Sequence, residues 1–340
     1  MGMKKIPKWP LVMFAFLTFF TAGDSLADPL DNWHWRDPLP RGDSLRVSYG
    51  NGIFVAVGES GTIYTSPDGA AWTSRTSGTV HLLCDVAYGN SSFVVVGGSG
   101  TVLTSHDGVT WTSRSSGTGY NLSGVAYGRD TFVAVGDDGA ILTSRDGSAW
   151  TAGDSGAHQS LKKVAFGDDN LVAVGANGII LTSSNGVVWT AEASETKGHL
   201  EGIAYGKNTF VAVGEAILTS SDGVTWTERG PKTNHHFFGV AYGGGTFVAV
   251  TDDGAIFTSP DGSVWTPRNP GIHLALLSIA YGERNFVAAG KTGALLQSDS
   301  VLSPQISVSS TSLDFGSVNV GNSSSQTLTI TNFGSADIII

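Results

Sequence analysis

Histidines and carboxylates recur at matching places along this 340-residue chain, and they are ligand types for a divalent metal or a sugar. Six of the eight histidines, together with Tyr120, stand six to eight residues before a recurring aromatic residue: His81, His158, His199, His235, His236 and His273. Acidic residues occupy a second recurring position, at Glu59, Asp137, Asp138, Glu215, Asp252 and Asp253. If both positions lie on one face of the folded protein, their side chains form a rim of imidazoles and carboxylates. The alternative is that repeat duplication copied a solvated loop residue with no binding role.

These side chains must be positioned by repeats of about 39 residues. The marker is an octapeptide of the form Thr-Ser-x-(Asp/Asn)-Gly-x-x-Trp, which occurs six times, at Thr65–Trp72, Thr104–Trp111, Thr143–Trp150, Thr182–Trp189, Thr219–Trp226 and Thr258–Trp265. Steps of 39, 39, 39, 37 and 39 residues separate the tryptophans. Such a period is typical of stacked copies of one supersecondary unit.

Each repeat predicts four short antiparallel strands. In the unit that begins at Leu83, the strands are 83–89, 93–97, 101–105 and 111–114, with Gly, Ser, Asn and Asp in the turns between them. The second strand is apolar at nearly every position, as in Phe132-Val133-Ala134-Val135, so both of its faces must be covered. This pattern indicates an all-β protein built from β-propeller blades.

Seven blades are predicted, because an inner-strand marker of the form Ala-Tyr-Gly, with variants, occurs seven times, whereas the tryptophan box occurs six times. The seventh unit ends at Leu295–Ser300 without a tryptophan. Trp33, however, lies 16 residues before Tyr49, the spacing that separates every box tryptophan from the next marker, and Arg36 matches the arginine that follows other boxes. We therefore predict that this N-terminal strand completes blade seven and closes the propeller, with six or eight blades as alternatives.

The tryptophan box resembles the Asp-box, or BNR, repeat of sialidase-like propellers over residues 33–303, in a variant one residue shorter than the usual form. Similar repeats occur in bacterial proteins that resemble photosystem II assembly factors. The resemblance implies a structural turn at the blade periphery, with turn hydrogen bonds and aromatic burial. The residues that it assigns to this role are Ser66, Asp68, Trp72, Asp107, Trp111, Asp146, Trp150, Trp189, Asp222, Trp226, Asp261 and Trp265, and Trp33 is grouped with them.

The first 27 residues predict a secretory signal peptide. Lys4, Lys5 and Lys8 precede an apolar run over 11–22, and residues 25–27 have the small-x-small form of a cleavage site. An uncleaved membrane anchor is the alternative. Removal of residues 1–27 changes the net charge from −10 to −12, which makes nucleic acid and anionic membranes poor partners. We expect a secreted, periplasmic or cell-surface protein that does not span the membrane after cleavage.

The chain changes character after the predicted propeller, which occupies residues 28–303. Residues 304–340 resemble the start of an Ig-like sandwich of the Hydin-type or choice-of-anchor D kind, through Ser312-Leu313-Asp314-Phe315-Gly316 and Leu328-Thr329-Ile330-Thr331-Asn332. Strands are predicted at 306–309, 312–315, 326–331 and 336–340. The full fold needs about 100 residues, so this segment predicts an incomplete domain.

The sequence favours a binding protein over an enzyme. The sialidase resemblance would require an arginine triad, a tyrosine nucleophile with its glutamate and a further acid, whereas five arginines here recur three residues after a tryptophan. Metalloprotease, nucleophile-elbow and phosphate-loop motifs are missing, and we expect no cofactor. We predict an exported, non-enzymatic propeller that binds a protein or glycan through its loops. The alternatives are a glycoside-acting enzyme with its site in loops 230–236 or 269–275, and an assembly factor for a membrane complex.

Overall fold

A computed structural model describes residues 28–36, 43–231 and 233–301, and the backbone of 306–308 and 330–332. The predicted signal peptide and most of the predicted Ig-like segment lie outside these residues. The described helical elements are six 3₁₀ turns, at Pro29–Asp31, Glu59–Gly61, Gly98–Gly100, Asp137–Gly139, Ala176–Gly178 and Lys291–Gly293. In this part of the chain, no helix has the length and apolar character that a membrane span requires.

Seven four-stranded antiparallel sheets form the blades of a propeller, as predicted. The inner strands are Leu45–Gly50, Leu83–Gly89, Leu122–Gly128, Leu161–Gly167, Leu200–Gly206, Phe237–Gly243 and Leu276–Gly282. The second strands are Ile53–Gly58, Ser92–Gly97, Thr131–Gly136, Asn170–Gly175, Thr209–Gly214, Thr246–Thr251 and Asn285–Gly290. The third strands are Ile63–Ser66, Thr101–Ser105, Ile141–Ser144, Ile180–Ser183, Ile217–Ser220, Ile256–Ser259 and Leu295–Ser298. The outer strands are Thr73–Arg75, Thr112–Ser115, Thr151–Gly153, Thr190–Glu192, Thr227–Glu228, Thr266–Arg268 and, in blade seven, Trp33–Trp35.

The N-terminal strand closes the ring, which confirms the prediction made from the spacing of the tryptophans. Trp33 pairs with Ser298 and Trp35 with Leu296, in antiparallel register. The N–H of the next residue, Arg36, donates to a main-chain carbonyl of the same third strand at 3.0 Å. Blade seven is therefore assembled from both ends of the propeller, and its third strand has a partner on each side.

The core lies between neighbouring blades. Val94 and Val96 of blade two contact Phe132 and Ala134 of blade three, whereas Phe93 belongs to the cluster that blade two forms with blade one. Because alternate side chains of one strand face different blades, the second strand is buried on both sides and is apolar at its central positions. An equivalent cluster joins blade seven to blade one, so a hydrophobic cluster lies between every two neighbouring blades.

A second closed ring consists of aromatic side chains packed on glycines. A Cβ atom on Gly89 would lie 2.0 Å from Cγ of Tyr127 in the next blade, and a Cβ on Gly282 would lie 2.2 Å from Cγ of Tyr49. The glycine of the inner-strand marker is therefore required by close packing between blades. The ring contains Tyr49, Tyr88, Tyr127, Phe166, Tyr205, Tyr242 and Tyr281.

Two local observations refine the sequence-based description. The outer strand of blade two begins at Thr112 and not at Trp111, because Nε1 of Trp111 donates to the Gly108 carbonyl at 3.1 Å and holds the indole within the turn. In the predicted Ig-like segment, Ile306–Val308 pairs antiparallel with Ile330–Asn332. The other strands predicted there fall outside the described residues.

Candidate functional site

The loops between blades and the hairpins between second and third strands lie side by side on one face, which we term the loop face. The N–H of Asp137 donates to the Asn121 carbonyl, that of Glu215 to the His199 carbonyl and that of Asp252 to the carbonyl of the residue before the inner strand, each at 3.0 Å. The predicted histidine loops and the predicted acidic hairpins therefore share a face.

The predicted histidines occupy three different positions relative to the inner strand that follows. His81, Tyr120 and His235 stand two residues before its first residue, His199 and His236 stand one residue before it, and His158 and His273 stand three residues before it. Side chains in these three positions point to different neighbours. The histidines are consequently not a set of equivalent ligands.

Most contacts of the rim are local pairs between one loop and its own or the preceding hairpin, whereas Nε2 of His236 lies 3.9 Å from Oε1 of Glu201 on the inner strand of the preceding blade. Tyr120 donates to Oδ2 of Asp138 at 3.0 Å, and Nδ1 of His158 lies 3.5 Å from the other oxygen of the same carboxylate. Nδ1 of His81 lies 2.9 Å from a threonine hydroxyl. Among the described residues, one group of three potential metal ligands has its donor atoms within 4.8 Å of one another: His235, Asp252 and Asp253.

The box residues form turns, and antiparallel strand direction places these turns on the opposite face. In the first box, the Ser66 hydroxyl accepts from the Gly69 N–H at 2.8 Å, and Oδ1 of Asp68 accepts from the two following N–H groups at 2.9 and 3.0 Å. Nε1 of Trp72 donates to the Gly69 carbonyl at 3.0 Å. The same bonds recur in all six boxes for the serine, glycine and tryptophan. The geometry supports a turn-forming role.

A charged central channel was missed by the sequence analysis. The inner strands surround a cavity of about 470 Å³, and the residues at the start of these strands line its end at the loop face. The ionisable residues there are Arg46, Asp85, Lys162, Lys163 and Glu201. Each occurs in one blade, whereas the remaining blades carry Gly, Ser, Cys, Phe or Leu at these positions.

An ion pair with a buried carboxylate spans the channel wall from blade two to blade four. Nζ of Lys163 lies 2.6 Å from Oδ1 of Asp85, whose side chain is 3% exposed, and Oδ2 accepts from the Val125 N–H at 2.8 Å. Blade three presents Gly124 between them, and a Cβ there would lie 2.9 Å from Cα of Lys163. The carboxylate is thus paired and hydrogen-bonded, as a buried charge must be.

The other two channel cations have no acidic partner among the described residues. Neither Arg46 nor Lys162 forms a salt bridge with any residue that the structure describes. Arg46 pairs with Val57 as Asp85 pairs with Val96, because the inner strand of blade one lacks the bulge found in the other six. Comparing these positions between repeats could have revealed the channel charges from the sequence.

The comparisons with known proteins agree on the fold. The family profile described as the DUF6242 beta propeller domain matches residues 86–201, from the inner strand of blade two to that of blade five. None of the curated proteins matches the sequence significantly.

Several solved structures share the propeller architecture. YCF48 from Cyanidioschyzon merolae is 20% identical, with a TM-score of 0.62, and the match covers 78% of this chain and 98% of YCF48. YCF48 bound to a D1 peptide is 19% identical, with a TM-score of 0.64 and coverage of 78% and 94%. A catalytically inactive virginiamycin B lyase from Staphylococcus aureus with quinupristin is 11% identical, with a TM-score of 0.69 and coverage of 78% and 98%. At these identities the similarity shows the fold alone. The same fold occurs with a D1 peptide in one of these structures and with quinupristin in another, so it does not determine the ligand.

Proposed function

We propose that this chain is an exported, non-enzymatic propeller that binds a segment of a protein partner at the channel mouth on the loop face. The observation that carries the proposal is the pair of channel cations, Arg46 and Lys162, that form no salt bridge within the described part of the chain. They stand in one concave cavity, where the repeats lose their symmetry. Ligand sites combine a concave surface with a few convergent polar groups, and this mouth has both.

The charge distribution favours a particular kind of segment. The two channel cations complement a carboxylate that enters the mouth, since an Arg side chain can bind a carboxylate through two parallel hydrogen bonds. The surrounding hairpins carry the acids Asp137, Asp138 and Glu215, which complement basic or polar groups flanking that carboxylate. We therefore propose a peptide with an acidic residue between basic or polar neighbours.

The similar structures give limited support of another kind. The propeller of YCF48 has been solved with a D1 peptide, so this architecture accommodates a peptide ligand. Assembly of a membrane complex would be one use of such binding, in line with the resemblance noted from the repeats. Export is proposed from the first 27 residues alone, through their lysines, apolar run and cleavage site.

A peptide library tests the binding proposal. Residues 28–340, without a tag, are incubated with peptides that carry Asp or Glu in varied flanking sequences, and affinities of enriched peptides are measured by fluorescence anisotropy. We expect the double variant Arg46→Ala/Lys162→Ala to bind at least about tenfold more weakly, because two charge-assisted contacts are lost.

The matched control removes two cations from the opposite face, as Arg145→Ala/Arg284→Ala. Both of these side chains are exposed and lie in hairpins remote from the channel mouth. We expect this variant to bind like the parent chain. Equal binding by both double variants, or no peptide enriched above background, would overturn the proposal.

A further inference from the structure

We propose that blade six carries a binding site for one divalent transition-metal ion, with His235, Asp252 and Asp253 as its protein ligands. One donor atom from each residue lies within 4.8 Å of the other two. An imidazole nitrogen with two carboxylate oxygens suits Zn²⁺, Ni²⁺ or Cu²⁺, and water would complete the coordination. This inference is independent of the proposed peptide binding.

The spacing of the donor atoms matches that of ligands around a metal. Nδ1 of His235 lies 3.0 Å from Oδ2 of Asp253. Adjacent ligands with metal bonds of about 2.0–2.1 Å are separated by about 3 Å, so the distance between these two atoms is one that a bound cation would also impose. The donor atom of the third ligand, Asp252, lies within 4.8 Å of the other two and would move closer to them when a metal binds.

The three ligands are held by contacts outside the triad. The ring of His235 packs edge-on against Phe257, with centroids 5.3 Å apart, and its side chain is 30% exposed. The Thr251 hydroxyl donates to Oδ1 of Asp253 at 2.6 Å, and the N–H of His236 donates to Oδ1 of Asp252 at 3.2 Å. Each carboxylate therefore keeps its Oδ2 oxygen available, which is the arrangement that a metal ligand requires.

Blade three provides an internal comparison. Its hairpin has the same Asp-Asp-Gly sequence, but Tyr120 and Asn121 occupy the places of the two blade-six histidines. The tyrosine hydroxyl donates to Asp138 at 3.0 Å, and the Asn121 amide donates to Asp137 at 2.9 Å. These neutral donors satisfy the acids without supplying a nitrogen ligand from the same loop. Blade two has the histidine, His81, beside a hairpin that contains no acid. Among the described repeats, only blade six brings the donor atoms of one imidazole and two carboxylates within 4.8 Å of one another.

The alternative for the same three residues is an ion pair between a protonated His235 and Asp253, with no metal. Isothermal titration calorimetry of untagged residues 28–340 with ZnCl₂ and NiCl₂ distinguishes the metal site from the ion pair. We expect one site per chain, and we expect His235→Gln and Asp253→Asn each to weaken it at least tenfold. The matched control is Asp138→Asn, which makes the same substitution in blade three and should leave the affinity unchanged.

Two outcomes would overturn the metal site: no binding by the parent chain, or equal loss of binding in Asp138→Asn and Asp253→Asn. Circular dichroism and thermal melting of each variant establish that the propeller is intact. Electron paramagnetic resonance of bound Cu²⁺ supplies a readout that a purely structural role would not change. We expect nitrogen hyperfine structure from one imidazole in the parent chain and its absence in His235→Gln. An unchanged spectrum would exclude His235 as a ligand.

Discussion

Four of the five box aspartates accept hydrogen bonds from two successive backbone N–H groups, and this geometry stabilises the charged form. The fifth, Asp261, accepts from the N–H and the hydroxyl of Ser263. The N–H groups of Thr110 and Val109, at 2.8 Å each, lower the pKa of Asp107 to about 2. In blade four, Asn185 occupies the equivalent place, and its Oδ1 accepts from the N–H groups of Val187 and Val188 at 2.8 and 3.0 Å. The turn therefore needs an acceptor oxygen, whereas the charge adds a pH-dependent contribution.

We predict that Asp107→Asn keeps the fold at neutral pH but makes stability less dependent on acidity. Because the folded pKa is below the ordinary value of about 3.9, the contribution of the charged aspartate is complete above about pH 4. It is lost as the pH falls towards about 2. Urea unfolding followed by circular dichroism at pH 7, 4 and 2.5 should therefore show a smaller loss of stability in the variant.

Asp107→Ala is the control, since it removes both the charge and the acceptor. We expect it to be less stable than Asp107→Asn by about 1 kcal/mol at every pH, because the turn N–H groups lose their partner. If Asp107→Asn showed the same pH dependence as the parent chain, the charged box would contribute nothing to acid stability.

Residue-level features were only partly predictable from the sequence. The box residues recur identically, so their repetition identified them as structural. The charged residues Arg46, Lys162 and Lys163 occur once each, so the features that all blades share do not include them. Grouping all histidines that stand six to eight residues before the aromatic marker also merged three positions into one class, although side chains in these positions have different neighbours.

At the level of elements, the apolar second strand made the blades predictable. A strand covered on both faces requires two neighbours, and stacked blades supply them. The sequence did not show why the marker glycine recurs, because the clashing atom belongs to the next blade. A Cβ on Gly128 would lie 2.1 Å from Cγ of Phe166, a contact between residues 38 positions apart in the chain.

We predict that Gly128→Ala destabilises the propeller by about 1–3 kcal/mol, because the inserted methyl group forces the Phe166 ring and its blade to move. Thermal melting and urea unfolding would measure the change. The matched control is Gly119→Ala in the same blade, where a Cβ would have no neighbour within 4 Å. We expect that variant to match the parent chain. Equal stability of the two variants would show that blade packing tolerates a side chain at the marker.

At the level of the whole molecule, the two ends of the propeller are joined by more than strand pairing. Arg268 of blade six forms salt bridges with Asp28 and Asp31, both at 2.6 Å. Nε of Arg36 donates to Gln297 at 2.8 Å, as other box arginines donate to the threonine at the same place. The N-terminal segment thus reproduces the missing box arginine and also bridges to the preceding blade. The spacing of Trp33 predicted the closure. The salt bridges to blade six involve Asp28 and Asp31, which are not part of the repeat, so the repeat pattern could not predict them.

We predict that a chain beginning at residue 37 has an open blade seven and is less stable than one beginning at residue 28. Loss of the strand's backbone hydrogen bonds, at about 1 kcal/mol each, costs about 3 kcal/mol before any loss of tryptophan burial. The third strand Leu295–Ser298 then becomes an unpaired edge, which promotes association between chains. Thermal melting and light scattering would measure both effects. A synthetic peptide of residues 28–36, added in excess, should restore the melting temperature by binding to the free edge, whereas the same peptide with Trp33→Ala and Trp35→Ala should restore less. If the shortened chain melted like the longer one, without association, the seven-bladed ring would not depend on its N-terminal strand.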